Sequence, residues 1–138
     1  MSFLVDTNVI SELRKGPRAN LAVRRWFESL EADEVFLSVI VIGEIRRGIE
    51  SIRRRDRTSA ARLDRWLRQV VEGYRDRILS VDARIAEEWG RLNVPNPIPV
   101  VDGLMAATAR VHNLTLATRN VKDVERTGVS LLNPFDAD

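Results

Sequence analysis

Five short apolar runs, FLV (3–5), VFLSV (35–39), ILSV (78–81), LTLAT (114–118) and VSLL (129–132), alternate with helical periodicity almost from end to end of the chain. Runs of this length without a polar face read as buried strands. Between them, apolar residues recur at helical spacing: Val23, Trp26, Phe27 and Leu30; Ile45, Ile49 and Ile52; Leu63, Trp66, Leu67, Val70 and Tyr74; Ile85, Trp89 and Leu92. Strands that alternate with helices pair in parallel and need both sheet faces covered. The pattern predicts an α/β fold, a three-layer α/β/α sandwich with a central parallel sheet. The Pro-rich stretch VPNPIPVVD (94–102) reads as a loop that delivers the chain to a helix starting near Asp102.

Ligands of open parallel sheets sit beyond the carboxyl ends of the strands. Neither G-x-G-x-x-G nor G-x-x-x-x-G-K-[ST] occurs, which speaks against the usual nucleotide-cofactor folds. Composition narrows the field further. The 138 residues, 44% of them hydrophobic, suit one domain spanning 1–138, and the longest apolar run is far too short to cross a membrane. No signal-like segment opens the chain, so a cytoplasmic protein without membrane association is expected. With no cysteine there is no thiol chemistry, and with His112 as the only histidine a Ser-His-Asp triad or a histidine-pair ribonuclease lacks its base. His112 itself reads as a buried structural residue in a helical pattern. Twenty of the 22 basic residues are arginine, and Arg46, Arg47, Arg53, Arg54, Arg55 and Arg57 crowd one stretch. That stretch is either a solvated helix end or a surface for phosphate.

The strand ends carry acid and amide. Asp6 follows FLV and could cap a helix, although Thr7 and Asn8 could cap in its place. Glu44 is the only charge between Val35 and Ile45 and shares a helix face with Ile40, Val41 and Gly48. Arg46 and Arg47 point elsewhere on that helix, so Glu44 needs either a tertiary salt bridge or a cation. Asp102 opens GLMAATARVHN as a cap or a ligand, and the small residues Ala106, Ala107, Thr108 and Ala109 let its helix approach the sheet closely. Asn120 and Asp123 belong either to a plain turn or to a site in which Asn120 coordinates or positions water, helped by Thr118 and Asp123.

Three carboxylates brought to one place repel one another. At about 4 Å each pair costs roughly 4 kcal/mol at an effective dielectric of 20. If Asp6, Glu44 and Asp102 converge, the cluster either stays partly protonated or recruits a cation, and all-oxygen ligands favour Mg²⁺, with Mn²⁺ as the second choice.

LVDTNVISELRKG, LSVIVIGEIRRGIE, VVDGLMAATARVHNLTLATRN and TGVSLLNPF resemble the PIN-domain proteins, and among these the VapC toxins of type II toxin-antitoxin systems, most closely the FitB-like subgroup. The likeness covers nearly the whole chain. It implies a single PIN-like domain, a Mg²⁺-dependent endoribonuclease, a homodimer, and a VapB/FitA-like antitoxin that inserts a segment into the active-site groove. Operator DNA would be bound only through that antitoxin. By position the family's acidic site falls on Asp6, Glu44 and Asp102, with Asp6 and Asp102 the leading metal ligands. A fourth acidic position falls on Asn120, a departure that weakens the case for a second metal, and Asp123 lies three residues further on. Thr7, Asn8 and Thr118 match supporting polar positions.

The resemblance further implies hydrolysis of an RNA phosphodiester by water, with Glu44 orienting or deprotonating it and no protein nucleophile. The alternative is a weakly or non-catalytic regulatory subunit that acts in a complex with a DNA-binding antitoxin. An aspartate-nucleophile phosphatase would want a second Asp where Asn8 stands.

Overall fold

The computed structural model describes residues 1–136. Five strands, β1 (Phe3–Val5), β2 (Val35–Ser38), β3 (Ile78–Leu79), β4 (Thr115–Ala117) and β5 (Leu131–Leu132), form one sheet in the order β3-β2-β1-β4-β5. Every neighbouring pair is parallel. The helices are α1 (Thr7–Leu13), α2 (Leu21–Glu28), α3 (Val39–Arg53), α4 (Arg57–Gly73), α5 (Ala83–Leu92), α6 (Val100–Val111) and the single turn α7 (Val121–Val124). Parallel strands are joined by right-handed crossovers. From β1 to β2 to β3 the chain moves one way across the sheet, and from β3 to β4 to β5 it moves the other way. Handedness therefore puts α1 to α4 on one face and α5 to α7 on the opposite face, which agrees with α1 packing on α2 and α3, α3 on α4, α5 on α6 and α6 on α7.

The three-layer sandwich read from the alternation is the architecture observed. β1 coincides with its apolar run, and the other strands run a residue or two shorter than theirs, β2 and β3 at the carboxyl end, β5 at the amino end and β4 at both. Ser38, fully buried, ends β2 and caps α3 by accepting the Ile40 N–H at 3.1 Å, so Val39 is already helical. Strand β1 is buried end to end, and Leu4, Val5, Leu37 and Leu116 lie at the heart of the core beside Val9, Val41, Ile49 and Met105. Trp26, Trp66 and Tyr74 pack against this core but are only half-buried.

Helix α6 begins near Asp102 as expected, at Val100, behind a Pro99 that offers no side-chain cap. Three details depart from the sequence reading. His112 is exposed at the C-terminal cap of α6 and is not a buried structural residue, because the helix ends one residue before it. Asp6 does cap α1, while Thr7 and Asn8 lie inside that helix and cap nothing. The arginine-rich stretch is partly spoken for: Asp64 of α4 receives Arg46 and Arg53 of α3 at 2.6 Å each, and Glu50 receives both at 3.0 Å. Those two guanidinium groups fasten α3 to α4. Among the described residues no helix is long and apolar enough to cross a membrane.

Candidate active site

The sheet changes direction between β1 and β4, and at such a switch point the connections leave to opposite sides and open a crevice at the carboxyl ends. Register places the two strand ends level. Val5 sits beside Ala117, and the Asp6 N–H continues the ladder to the Ala117 carbonyl at 2.9 Å. Asp6 and Thr118 are therefore the first residues beyond the switch.

Asp6 is 5% exposed, and both of its carboxylate oxygens are engaged. Oδ1 accepts the Thr7 N–H at 2.8 Å, and Oδ2 accepts the Thr118 hydroxyl at 2.7 Å and the Asn8 amide at 3.4 Å. Asn8 also ties in the next loop, its Oδ1 accepting the Arg119 N–H at 3.2 Å. Thr7 turns its hydroxyl to Glu44 Oε1 at 2.6 Å. The α1 N-terminus thus holds two acidic side chains, one through its backbone and one through its first side chain. Thr118, 1% exposed, also accepts the Asn120 N–H at 3.0 Å, which fixes where Asn120 leaves the sheet.

Asp102 lies in the first turn of α6, third from its start, and is half-buried. It does not cap the helix. Its approach depends on small residues, since Gly103 and Ala106 to Ala109 are all buried. A Cβ on Gly103 would stand 3.1 Å from the Trp89 ring of α5, so that contact admits nothing larger than glycine without a shift.

These elements enclose a cleft of about 470 Å³ lined by Asp6, Thr7, Asn8, Glu44, Arg47, Val101, Asp102 and Asn120. Of the residues singled out in the sequence, Thr118 lies beneath this lining. Asp123 is exposed on α7 and outside the lining, although its charge is felt at Asp102. Arg47 contradicts the expectation that both arginines after Glu44 turn away: Arg46 does, and Arg47 does not. Three residues on from Glu44, it shares that residue's helix face, a spacing readable in the sequence when i,i+3 neighbours are considered alongside i,i+4.

Electrostatics reflect burial and crowding. Burial pushes the Asp6 carboxyl above its ordinary value; Glu44 adds to this, while the Thr118 hydroxyl, the Thr7 N–H and the Asn8 amide oppose it. Burial likewise raises Asp102, reinforced by the charges of Asp6, Asp123 and Glu44 and opposed by the Asn120 amide. The cleft disfavours its own full ionisation, the condition in which a cation is welcome. Its donors are all oxygen, a set that suits Mg²⁺. Among the described residues no three His, Cys, Asp or Glu side chains are grouped so as to hold an ion by themselves.

The chain matches the PIN domain over residues 3–129. It is 31% identical to toxin FitB of Neisseria gonorrhoeae over 137 residues, covering 96% of this chain and 97% of that protein. It is 29% identical to the VapC ribonuclease Y4jK of Sinorhizobium fredii over 138 residues, with 96% and 97% coverage. The solved structure of FitAB bound to an IR36 DNA fragment superposes with a TM-score of 0.88 at 30% identity, covering 99% of this chain and 97% of that one. With the sheet order, the acidic cleft at its switch point and these likenesses in agreement, the chain belongs to the PIN-domain family.

Proposed function

We propose that this chain is a Mg²⁺-dependent endoribonuclease and the toxin of a type II toxin-antitoxin module, held in check by a VapB/FitA-like antitoxin. The observation that carries the reading is the joint lining of one cleft by Asp6, Glu44, Asp102 and Asn120 at the sheet's switch point. The likeness to a toxin, to a ribonuclease and to a DNA-bound complex supports the biological side. The proposed setting is the cytoplasm, the active form a homodimer, and contact with operator DNA is made only through the antitoxin.

Asp6 and Asp102 would be the principal ligands of the ion, with Glu44 beside them. Mg²⁺ typically uses only one or two carboxylates and keeps its waters, so an open group of acids suits it better than a closed cage. When bound, the ion supplies Lewis-acid stabilisation of charge on the phosphate and lowers the pKa of water. The protein's own part is positional. Thr7 orients Glu44, leaving its second oxygen to accept a proton from the attacking water. Thr118 and the α1 N-terminus hold Asp6, and the α6 first turn presents Asp102. The water oxygen bonds to phosphorus, the P–O3′ bond breaks, and the 3′ oxygen takes a proton from solvent water, leaving a 5′-phosphate and a 3′-hydroxyl.

RNA cleavage mapped in cells after brief induction tests the reading. Wild type should produce new 5′-phosphate ends and Asp102→Asn none, and a wild type without new ends would sink it. The neutral Asn120 keeps a second reading in play, a feebly catalytic regulatory subunit. Growth unaffected by induction, together with tight operator binding by the co-purified complex, would favour that alternative.

A further inference from the structure

We infer that Arg47 is the substrate-phosphate-binding residue of the cleft, gripping a non-bridging oxygen of the RNA backbone next to the acidic group. The inference rests on the ribonuclease reading. Among the described residues, Arg47 is the one cation lining the cleft. Its neighbour Arg46, about 100° further round α3, is turned to α4 and fixed by Asp64 and Glu50, as is Arg53. Arg47 by contrast makes no hydrogen bond or ion pair among the described residues, and it is exposed. Three residues from Glu44 on the same face, it leaves that carboxylate to Thr7, whose hydroxyl holds it at 2.6 Å. A structural counter-ion would be paired with its acid; this guanidinium lines the same cleft as the acids and is unpaired among the described residues. An anionic substrate entering a cleft of three carboxylates meets repulsion, and a planar donor fork at the rim, backed by no carboxylate of its own, offers the bidentate phosphate contact that arginine makes better than lysine.

The experiment uses the full chain and a single-stranded RNA oligonucleotide that wild type cleaves. Binding is measured without divalent ion, to prevent turnover, over a range of salt concentrations for wild type, Arg47→Gln and Arg47→Lys, and Mn²⁺ binding is followed by electron paramagnetic resonance. Losing one phosphate contact should weaken RNA binding roughly tenfold to a hundredfold and flatten the slope of log K against log salt by about 0.7. Arg47→Lys should restore the slope but only part of the affinity, and the Arg47→Gln loss in cleavage should fall on KM more than kcat. Mn²⁺ affinity should hold or rise, because a nearby positive charge has gone. Unchanged RNA affinity and slope in folded Arg47→Gln overturns the inference while leaving the nuclease reading intact. Weakened Mn²⁺ binding with unchanged RNA binding also overturns it, marking Arg47 as a support for the ion site. A wild type that neither binds nor cuts RNA overturns both.

Discussion

The Thr118 hydroxyl donates to Asp6 Oδ2 at 2.7 Å, joining residues 112 positions apart at the carboxyl ends of adjacent strands. The Thr118 hydroxyl oxygen in turn accepts the Asn120 N–H, so one buried hydroxyl fixes both the innermost acid and the start of the loop carrying the amide. Replacing it with an isosteric methyl leaves the buried Asp6 Oδ2 with only the 3.4 Å Asn8 contact and strips the part-buried Asn120 N–H of its acceptor. Thr118→Val should lose about 1 to 3 kcal/mol of stability and most RNA cleavage, whereas Thr118→Ser should keep the bulk of both. Urea denaturation and a cleavage assay decide it, and a Val variant as active as wild type would remove this hydroxyl from the site.

Acid in the cleft has a definite sign in its pH dependence. Asp6 and Asp102 hold their protons more tightly in the folded chain than at the ordinary 3.8. The stability they contribute is therefore full below the unfolded value and lost as pH rises through the raised folded values. Glu12, Glu50, Asp56 and Asp64 are shifted down and work the opposite way, losing stability on acidification, so the comparison has to be differential. In chelator, the stability of Asp102→Asn relative to wild type should grow as pH rises above the ordinary 3.8, and Mg²⁺ should raise the melting temperature of wild type alone. Parallel pH profiles would show that Asp102 is not under the strain described.

Placing an acid at position 120 tests whether this position belongs to the ion site. Asn120→Asp adds a charge beside Asp102 and removes the amide that now steadies it. The metal-free variant should be less stable than wild type and should bind Mn²⁺ more tightly, measurable by calorimetry. Equal affinity would mean that position 120 does not face the ion.

Close approach of α6 is the remaining requirement. Ala106 is fully buried, and its helix packs on β1 and β4. Ala106→Leu should cost about 1 to 3 kcal/mol through overpacking and displace the turn that carries Asp102. Cleavage should fall further than the thermal shift alone explains, and retained full activity would show that this helix has slack.

Much of this arrangement can be read from the chain directly. The five apolar runs and the faces of α2 to α5 are written in periodicity, because burial leaves a repeating mark in a sequence. Asp6, Glu44 and Asp102 stand out because an acid at the edge of an apolar segment needs a reason. What periodicity does not carry is direction across space. His112 sits one residue past the end of its helix, so an apolar pattern puts it inside while the termination puts it out. Arg46 and Arg47 differ in the sequence by their helical neighbours, Glu50 at i,i+4 for the one and Glu44 at i,i+3 for the other, and Asp64 on a separate helix completes the hold that turns Arg46 to α4 while Arg47 faces the cleft. The cap on α1 is legible as an either-or, and the two roles share one side chain because its oxygens divide between the helix N-terminus and the site.

That division has a consequence for genetics. Substitutions at Asp6 remove a helix cap and a buried hydrogen-bond acceptor along with a site carboxylate, whereas those at the half-buried Asp102 touch neither cap nor core. Alleles recovered in a selection for harmless expression will therefore divide by steady-state level: those at 102 will accumulate as full-length inert protein, and those at 6 will be thinned by cellular proteolysis. Only the former class can serve as a clean inactive reference.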